Sequence, residues 1–184
     1  VEQDGEVVSR ASATFLKPST APGGEVWSAD DRPTPPPLDV APDDVAHHIP
    51  VFSSAVPWSD DFAAHQNSGR HTTWQIAVPI LADEECTPFQ AAASIADATS
   101  MVTCWGSNGV EYINTDIDLA LSRRPDGVAL GLRATDHVAH DGIVVGTVEV
   151  FDRQGMLGTA SVTSLANTRR TVDFSDGVAG PDSA

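Results

Sequence analysis

The chain has 184 residues, of which 41% are hydrophobic, and a formal net charge of −16. That charge excludes a nucleic-acid-binding role, because neutralising phosphates requires clustered basic side chains and the sequence has one lysine and nine arginines. No apolar run approaches the roughly 20 residues that span a bilayer, so the sequence predicts no membrane span. The length suits one domain with appendages.

The first 57 residues predict an isolated strand followed by a linker. Residues 4–17 pass through an Asp-Gly turn into a strand-like run, and a lone strand must pair with another sheet to be stable. Residues 18–57 contain nine prolines and many acidic side chains, which is typical of an extended, partly mobile linker. His47 and His48 lie in this linker and are expected to be exposed to solvent rather than bound to a metal.

A helix is predicted over residues 87–106. Thr87 can cap its first turn, with Gln90 as the partner of a capping box, and Gly106 can close its end. The residues between these caps are small and apolar, with no Lys, Arg or Glu. This composition predicts that the helix 88–104 is enclosed by protein on all sides.

The helix contains one carboxylate, Asp97. Burying a carboxylate is costly unless it has a partner or performs chemistry, so Asp97 is the first candidate for a functional residue. The cysteines Cys86 and Cys104 lie at opposite ends of the helix, some 25 Å apart at about 1.5 Å per residue. A disulfide cannot span that distance, so we expect reduced thiols and a cytoplasmic location. The sequence shows no Cys/His spacing typical of a metal site.

Five segments predict the strands of an antiparallel sheet: 71–81, 112–122, 128–135, 143–152 and 157–168. The last four are joined by Asp-Gly, Asp-Gly and Gln-Gly turns. A strand, an enclosed helix and four strands linked by hairpins predict an α+β hotdog fold, in which an antiparallel sheet wraps around a central helix. The hotdog domain is expected over residues 58–170, followed by a tail at 171–184 that frays.

Several motifs, taken together in order and spacing, resemble the double-hotdog acyl-CoA thioesterases of the acyl-CoA thioesterase II-like group: Trp74–Pro79, Ile95–Asp97, Asn114–Leu119, Arg123–Pro125 and Val150–Gly155. The resemblance implies that residues 58–170 are the second half of a double hotdog. Residues 1–17 are similar to the last strand of an otherwise missing first hotdog. Either the chain is the C-terminal portion of a longer protein, or another copy supplies the missing half in a homo-oligomer.

The resemblance implies hydrolysis of an acyl-CoA or another acyl thioester, with coenzyme A as part of the substrate and no separate cofactor. The family positions its water with a helix Asp, a Thr or Ser on the next long strand, and a Gln on the last strand. These positions correspond to Asp97, Asn114 and Thr163, so two of the three depart from the family pattern. Asp97 is then the general base of a degenerate triad. Arg123 and Arg124 would meet the phosphates of coenzyme A, or would be solvated at a turn.

Two other functions remain open. Asp97 could belong to a structural polar network, with Asn114 and Thr163 as ordinary sheet residues. The chain would then be a non-catalytic hotdog protein that binds an acyl ligand or serves as a scaffold. A hydratase or dehydratase is disfavoured, because that chemistry needs a histidine near the helix start and none lies between His71 and His137.

Overall fold

A computed structural model of the chain describes three ranges, residues 1–43, 49–81 and 83–175. The chain divides into two compact units, Val1–Asp30 and Asp31–Ala184. His47 and His48, and residues 176–184 of the predicted tail, lie outside the described residues. None of the described helices is long and apolar enough to cross a bilayer.

The first unit contains a short hairpin. Strand β1 (Glu2–Gln3) pairs with β2 (Glu6–Val7), and the turn between them places Asp4 and Gly5 at positive φ angles of 53° and 82°. The predicted strand therefore extends only to Val7, and residues 8–17 form no strand. A longer strand needs backbone partners along its length, and the pairing of this segment with another sheet stays a prediction.

The second unit is built on a six-stranded antiparallel sheet. Its strands are β3 (Val51–Ser53), β4 (Thr72–Ile76), β7 (Tyr112–Leu121), β8 (Ala129–His140), β9 (Ile143–Asp152) and β10 (Gly155–Ala166). They lie in the order β3-β4-β8-β9-β10-β7. Two more short strands, β5 (Trp105–Gly106) and β6 (Gly109–Val110), pair with each other. The short helix α1 (Phe62–His65) and β3 were not predicted, because neither has a local pattern that marks it.

The predicted helix forms in three consecutive pieces. Helix α2 (Pro88–Ile95) continues through a 3-10 turn (Ala96–Ala98) into α3 (Thr99–Cys104). The capping box forms as predicted, since the Gln90 amide donates to Thr87 Oγ1 at 3.3 Å and the Thr87 amide donates to Gln90 Oε1 at 2.8 Å. The sheet curves around this helix, which confirms the predicted hotdog arrangement.

One side of the helix is covered by the sheet and the other is open. The covered side packs into the main hydrophobic core through Ala91, Ala92, Ile95 and Val102, which are almost fully buried. The opposite side leaves Gln90, Ala93, Ser94 and Asp97 exposed. The prediction of a fully enclosed helix is therefore wrong for this chain. A single curved sheet contacts only one face of a helix, so the residues on the other face stay exposed however small they are.

The sheet has an inner face toward the helix and an outer face away from it. On β9, Val144, Val148 and Val150 point inward and are buried, whereas Ile143 and Val145 point outward and are exposed. This alternation is the period of two expected of a strand. The register of the neighbouring strands then assigns each of their residues to one face.

Arginine side chains fasten residues 31–43 to the rest of the second unit. Arg133 donates to Asp31 Oδ1 at 3.0 Å and to Glu149 Oε2 at 2.6 Å. Arg153 donates to Asp43 and lies over the Trp74 ring, 4.4 Å from its centroid. The described residues 31–43 of the proline-rich segment thus form no strand or helix but are held by ion pairs.

Candidate functional site

The helix and the sheet bring two of the predicted site residues together. Asp97 lies in the 3-10 turn, where its side chain is exposed rather than buried as the sequence predicts. Asn114 lies on β7 and is half-buried. Asn114 Nδ2 donates a hydrogen bond of 3.1 Å to Asp97 Oδ1.

A β-bulge lies next to this pair. Asn114 pairs with Ser164 and Asp116 pairs with Thr163, so Thr115 is an extra residue between the two strands. The Thr115 hydroxyl donates to the Thr163 carbonyl at 3.0 Å. The Thr163 amide donates to Asp116 Oδ1 at 2.8 Å. Bulges bend a strand and change the direction of its side chains, and they recur beside active sites.

The structure does not bring the third predicted residue to the same place. Thr163 pairs with the outward-facing Val145 of β9, so its side chain lies on the outer face. Its neighbour Ser164 pairs with the buried Val144 and lies on the inner face with Asn114. Ser164 was not predicted from the sequence, because its face follows only from the register of β10 with β7 and β9.

The Ser164 side chain is fully buried, and among the described residues its Oγ has no nitrogen or oxygen partner. The group it meets is the buried Cys104 thiol, whose pKa is raised by burial against the lowering effect of this contact. A buried hydroxyl whose partner is a weakly hydrogen-bonding sulfur costs free energy. Thr99, two residues after Asp97, also has a fully buried hydroxyl without a partner among the described residues. Residues two apart on a helix point in nearly opposite directions, so Thr99 lies on the covered side of the helix and not at the exposed Asp97.

The two predicted arginines have different surroundings. Arg123 forms a bidentate ion pair with the fully buried Asp152, with N–O distances of 2.6 and 2.7 Å. Burial opposes the charged form of Asp152, but the hydrogen bonds from Arg123 and from two backbone amides prevail and hold its pKa below the ordinary value. Arg124 is exposed, and no ion pair of its guanidinium is found in the part of the chain that the structure describes.

Both arginines lie far from the Asp97–Asn114 pair. β7 is extended from Asn114 to Leu121, seven residues or about 23 Å at about 3.3 Å per residue, and Arg123 and Arg124 lie in the turn beyond that end. Arg123 is occupied by a structural ion pair, so Arg124 has the guanidinium that is available to a ligand.

A cavity of about 550 Å³ lies near the C-terminal end of α3 rather than at Asp97. It is bordered by the loop at residues 68–71, by the last residues of α3, and by Tyr112 and His137 on the inner face of the sheet. His137 Nδ1 donates to the Thr103 carbonyl at 2.7 Å. Neither Asp97 nor Asn114 lines the cavity. Within the described ranges, no cluster of His, Cys, Asp and Glu side chains is arranged to hold a metal ion.

Comparison with known proteins places the chain in a family. The family model described as "Acyl-CoA thioesterase C-terminal domain" matches residues 28–165. No curated protein matches the sequence. Among solved structures, the E. coli PaaI protein from the phenylacetic acid degradation operon is 13% identical, with a TM-score of 0.41 over 62% of this chain and 78% of that one. The match to three quarters of the sequence shows that the chain belongs to the acyl-CoA thioesterase C-terminal domain family.

Proposed function

We propose that the chain is one hotdog of an acyl-CoA thioesterase, in which Asp97 and Asn114 position and activate the water that attacks the thioester. The observation that carries this proposal is the 3.1 Å hydrogen bond between their side chains. It joins the helix to the neighbouring strand at the point where a β-bulge changes the strand direction. Membership of the family supports the acyl-CoA substrate.

The chemistry follows from the donors and acceptors of the pair. Asn114 donates to one carboxylate oxygen of Asp97, which leaves the other oxygen to accept a proton from water. The water oxygen bonds to the thioester carbonyl carbon while its proton passes to Asp97, giving a tetrahedral oxyanion. Collapse of this intermediate breaks the carbon–sulfur bond and releases the coenzyme A thiolate, which takes the proton from Asp97 and so restores its carboxylate.

Thr163 would act through its backbone. Its carbonyl and amide hold Thr115 and Asp116 at the bulge, so it fixes the direction of Asn114 rather than touching the water. Ser164 then offers the hydroxyl on the same face as Asn114.

The site needs a second hotdog to cover it. An exposed base competes with bulk water, and catalysis gains when the site is closed. The exposed side of the helix and the edge of β7, which pairs on one side only among the described strands, provide a surface for this cover. We propose that the cover is either a preceding segment of a longer protein or another copy of this chain.

The proposed location is the cytoplasm. Cys86 and Cys104 are both free thiols, and free thiols favour a reducing compartment.

A non-catalytic acyl-binding or scaffolding role is the second candidate. It is favoured by the outward direction of Thr163 and by the ion pair that occupies Arg123. In that case the Asp97–Asn114 hydrogen bond would be structural. Measurement of hydrolysis decides between the two roles.

The test compares Asp97→Asn with Asp118→Asn, an exposed carboxylate on the same strand as Asn114. We expect Asp97→Asn to fold normally and to lower kcat/KM for octanoyl-CoA by about a hundredfold or more, because an amide accepts no proton from water. Asp118→Asn should change kcat/KM less than about twofold. Unchanged turnover in Asp97→Asn would exclude the catalytic role, and a wild type without activity in its assembled state would favour the binding role.

A further inference from the structure

The cavity at the end of α3 has no part in the proposed hydrolytic step. Its lining is mixed, with polar residues such as Arg70, Tyr112 and His137 beside apolar ones such as Val102 and Trp105. At about 550 Å³ it is in the size range of small-molecule sites. The cavity is therefore large enough to bind either a separate ligand or a part of the ligand that reacts at Asp97.

Two elements lead from the Asp97–Asn114 pair to this cavity. Along the helix, Thr103 follows Asp97 by six residues, or about 9 Å. Along β7, Tyr112 precedes Asn114 by two residues, or about 7 Å. Both side chains point to the inner face, because their partners Ala166 and Ser164 are also two residues apart on β10. The cavity thus lies about 10 Å or less from the pair, on the helix-facing side of the sheet.

The wall nearest the sheet is rich in hydrogen-bond acceptors. His137 donates its Nδ1 proton to the Thr103 carbonyl, so in the neutral ring Nε2 is an acceptor. The Tyr112 ring meets the His137 ring edge-on at 6.0 Å, which fixes both side chains. Glu111, next to Tyr112 along the chain, also lines the cavity.

The opposite wall contains a donor. Arg70 lines the cavity, and its only described ion pair, to Asp31, is long at 3.5 Å with more than half of the side chain exposed. A plain alkyl end placed here would remove these polar groups from water without giving them partners, which costs free energy. A hydroxyl both donates and accepts, so it satisfies both walls.

We infer that this cavity receives the acyl group and that its substrates have a hydroxyl at the end remote from the thioester. This inference rests on the proposed thioesterase function, since it assigns the acyl group of that same site. The distance of about 10 Å from the Asp97–Asn114 pair suits an acyl chain of medium length.

The test compares octanoyl-CoA with ω-hydroxyoctanoyl-CoA as substrates of the wild-type chain in its native assembly. We expect kcat/KM to be about 10- to 100-fold higher for the hydroxylated substrate, the discrimination typical of a hydrogen bond to a charged group. Glu111→Gln and His137→Ala should each reduce this preference. The matched controls Glu84→Gln and His140→Ala, at exposed positions outside the cavity, should keep it.

A second measurement does not depend on hydrolysis. ω-Hydroxyoctanoate is titrated into the protein while the NMR signals of the Tyr112 and His137 rings are followed, with octanoate as the control. Shifts caused by the hydroxy acid alone, in a protein that hydrolyses neither thioester, would support the cavity assignment and refute the hydrolytic function. Equal hydrolysis of both thioesters, unchanged in Glu111→Gln and His137→Ala, would overturn the cavity assignment and leave the thioesterase function standing. No shifts and no hydrolysis would overturn both.

Discussion

Ser164 and Thr163 are adjacent in sequence, yet their side chains lie on opposite faces of β10. Ser164 is fully buried beside Asn114, and Thr163 is half-buried on the outer face. The backbone of Thr163, rather than its hydroxyl, holds the bulge through Thr115 and Asp116. This difference makes the two residues a matched pair for mutation.

We expect Ser164→Ala to reduce hydrolysis of octanoyl-CoA about tenfold while leaving the free energy of unfolding unchanged or slightly higher. In the described chain its hydroxyl meets only the Cys104 thiol, a weak hydrogen-bonding group, so removing it breaks no strong internal hydrogen bond. Thr163→Ala keeps the backbone bonds at the bulge and should retain most of the activity. Steady-state kinetics and urea unfolding of both variants check this. A Thr163→Ala enzyme less active than Ser164→Ala would show that the outer-face hydroxyl matters instead.

Arg123 and Arg124 form a second pair of neighbours with different roles. Arg123→Ala leaves the buried Asp152 carboxylate without its ion-pair partner, and we expect the free energy of unfolding to fall by about 2 to 3 kcal/mol. Arg124→Ala should change it by less than about 0.5 kcal/mol, because the side chain is exposed. If Arg124 meets the phosphates of coenzyme A, its removal raises KM for acyl-CoA without changing kcat. Equal destabilisation by both substitutions would contradict the structural role of Arg123.

Among the elements, an aromatic cluster joins the end of α3 to the start of the second unit. The Trp105 ring, almost fully buried, stacks on His71 at 5.0 Å and meets Phe52 edge-on at 5.1 Å. His65, between Ser54 and Ser59 hydroxyls at 2.9 and 3.0 Å, is fully buried. The His71 Nε2 donates to the His65 carbonyl at 2.7 Å.

This cluster makes stability depend on pH. Burial lowers the pKa of both His65 and His71 from the ordinary value of 6.5, so the unfolded chain binds protons that the folded chain excludes. The free energy of unfolding should therefore be highest above about pH 6.5 and fall as the pH decreases below it. Urea unfolding between about pH 8 and pH 5 measures this slope.

The control for this slope is the exposed His140, whose replacement by Gln should leave it unchanged. His71→Phe keeps a ring against Trp105 and removes one titrating group, so the slope should decrease. A slope that is the same in the wild type and in His71→Phe would contradict the assignment to this cluster. Asp152, whose pKa is held below its ordinary value of 3.8, loses its stabilising charge only at much lower pH.

At the scale of the whole molecule, the exposed side of the helix and the edge of β7 form one uncovered surface near Asp97. Ala93 and Ser94 are exposed on that side of the helix, and Ile117 is 37% exposed on β7. The net charge of −16 opposes association of two copies and is screened by salt.

We expect the isolated chain to form dimers whose fraction rises with ionic strength. Ala93→Glu places a charge on the uncovered helix side and should shift the chain to monomer, whereas Ala139→Glu, at an exposed position near the end of β8, should not. Sedimentation velocity at low and high salt measures both. A monomer that hydrolyses octanoyl-CoA at the full rate would contradict the need for a covering hotdog.

Several features were predictable from the sequence because their signals are local. The capping box at Thr87 and Gln90 involves residues three apart, and β9 has the predicted bounds, Ile143–Asp152, because turns with glycine mark both of its ends. The order and spacing of the motifs were sufficient to identify the family. The alternation of hydrophobic and polar residues in the strands was sufficient to predict an antiparallel sheet around a helix.

Other features depended on pairings between distant residues, which the sequence does not encode in any short window. The face on which Thr163 or Ser164 lies follows from a register and a bulge set by β7, and shifting a strand by one residue exchanges its faces. The partner of Arg123 is Asp152, 29 residues away, and is decided by the packing of two turns. The helix composition indicated burial on all sides. Whether Asp97 is covered depends on a second layer of structure over the open face of the helix, and the single sheet of this chain covers only the opposite face.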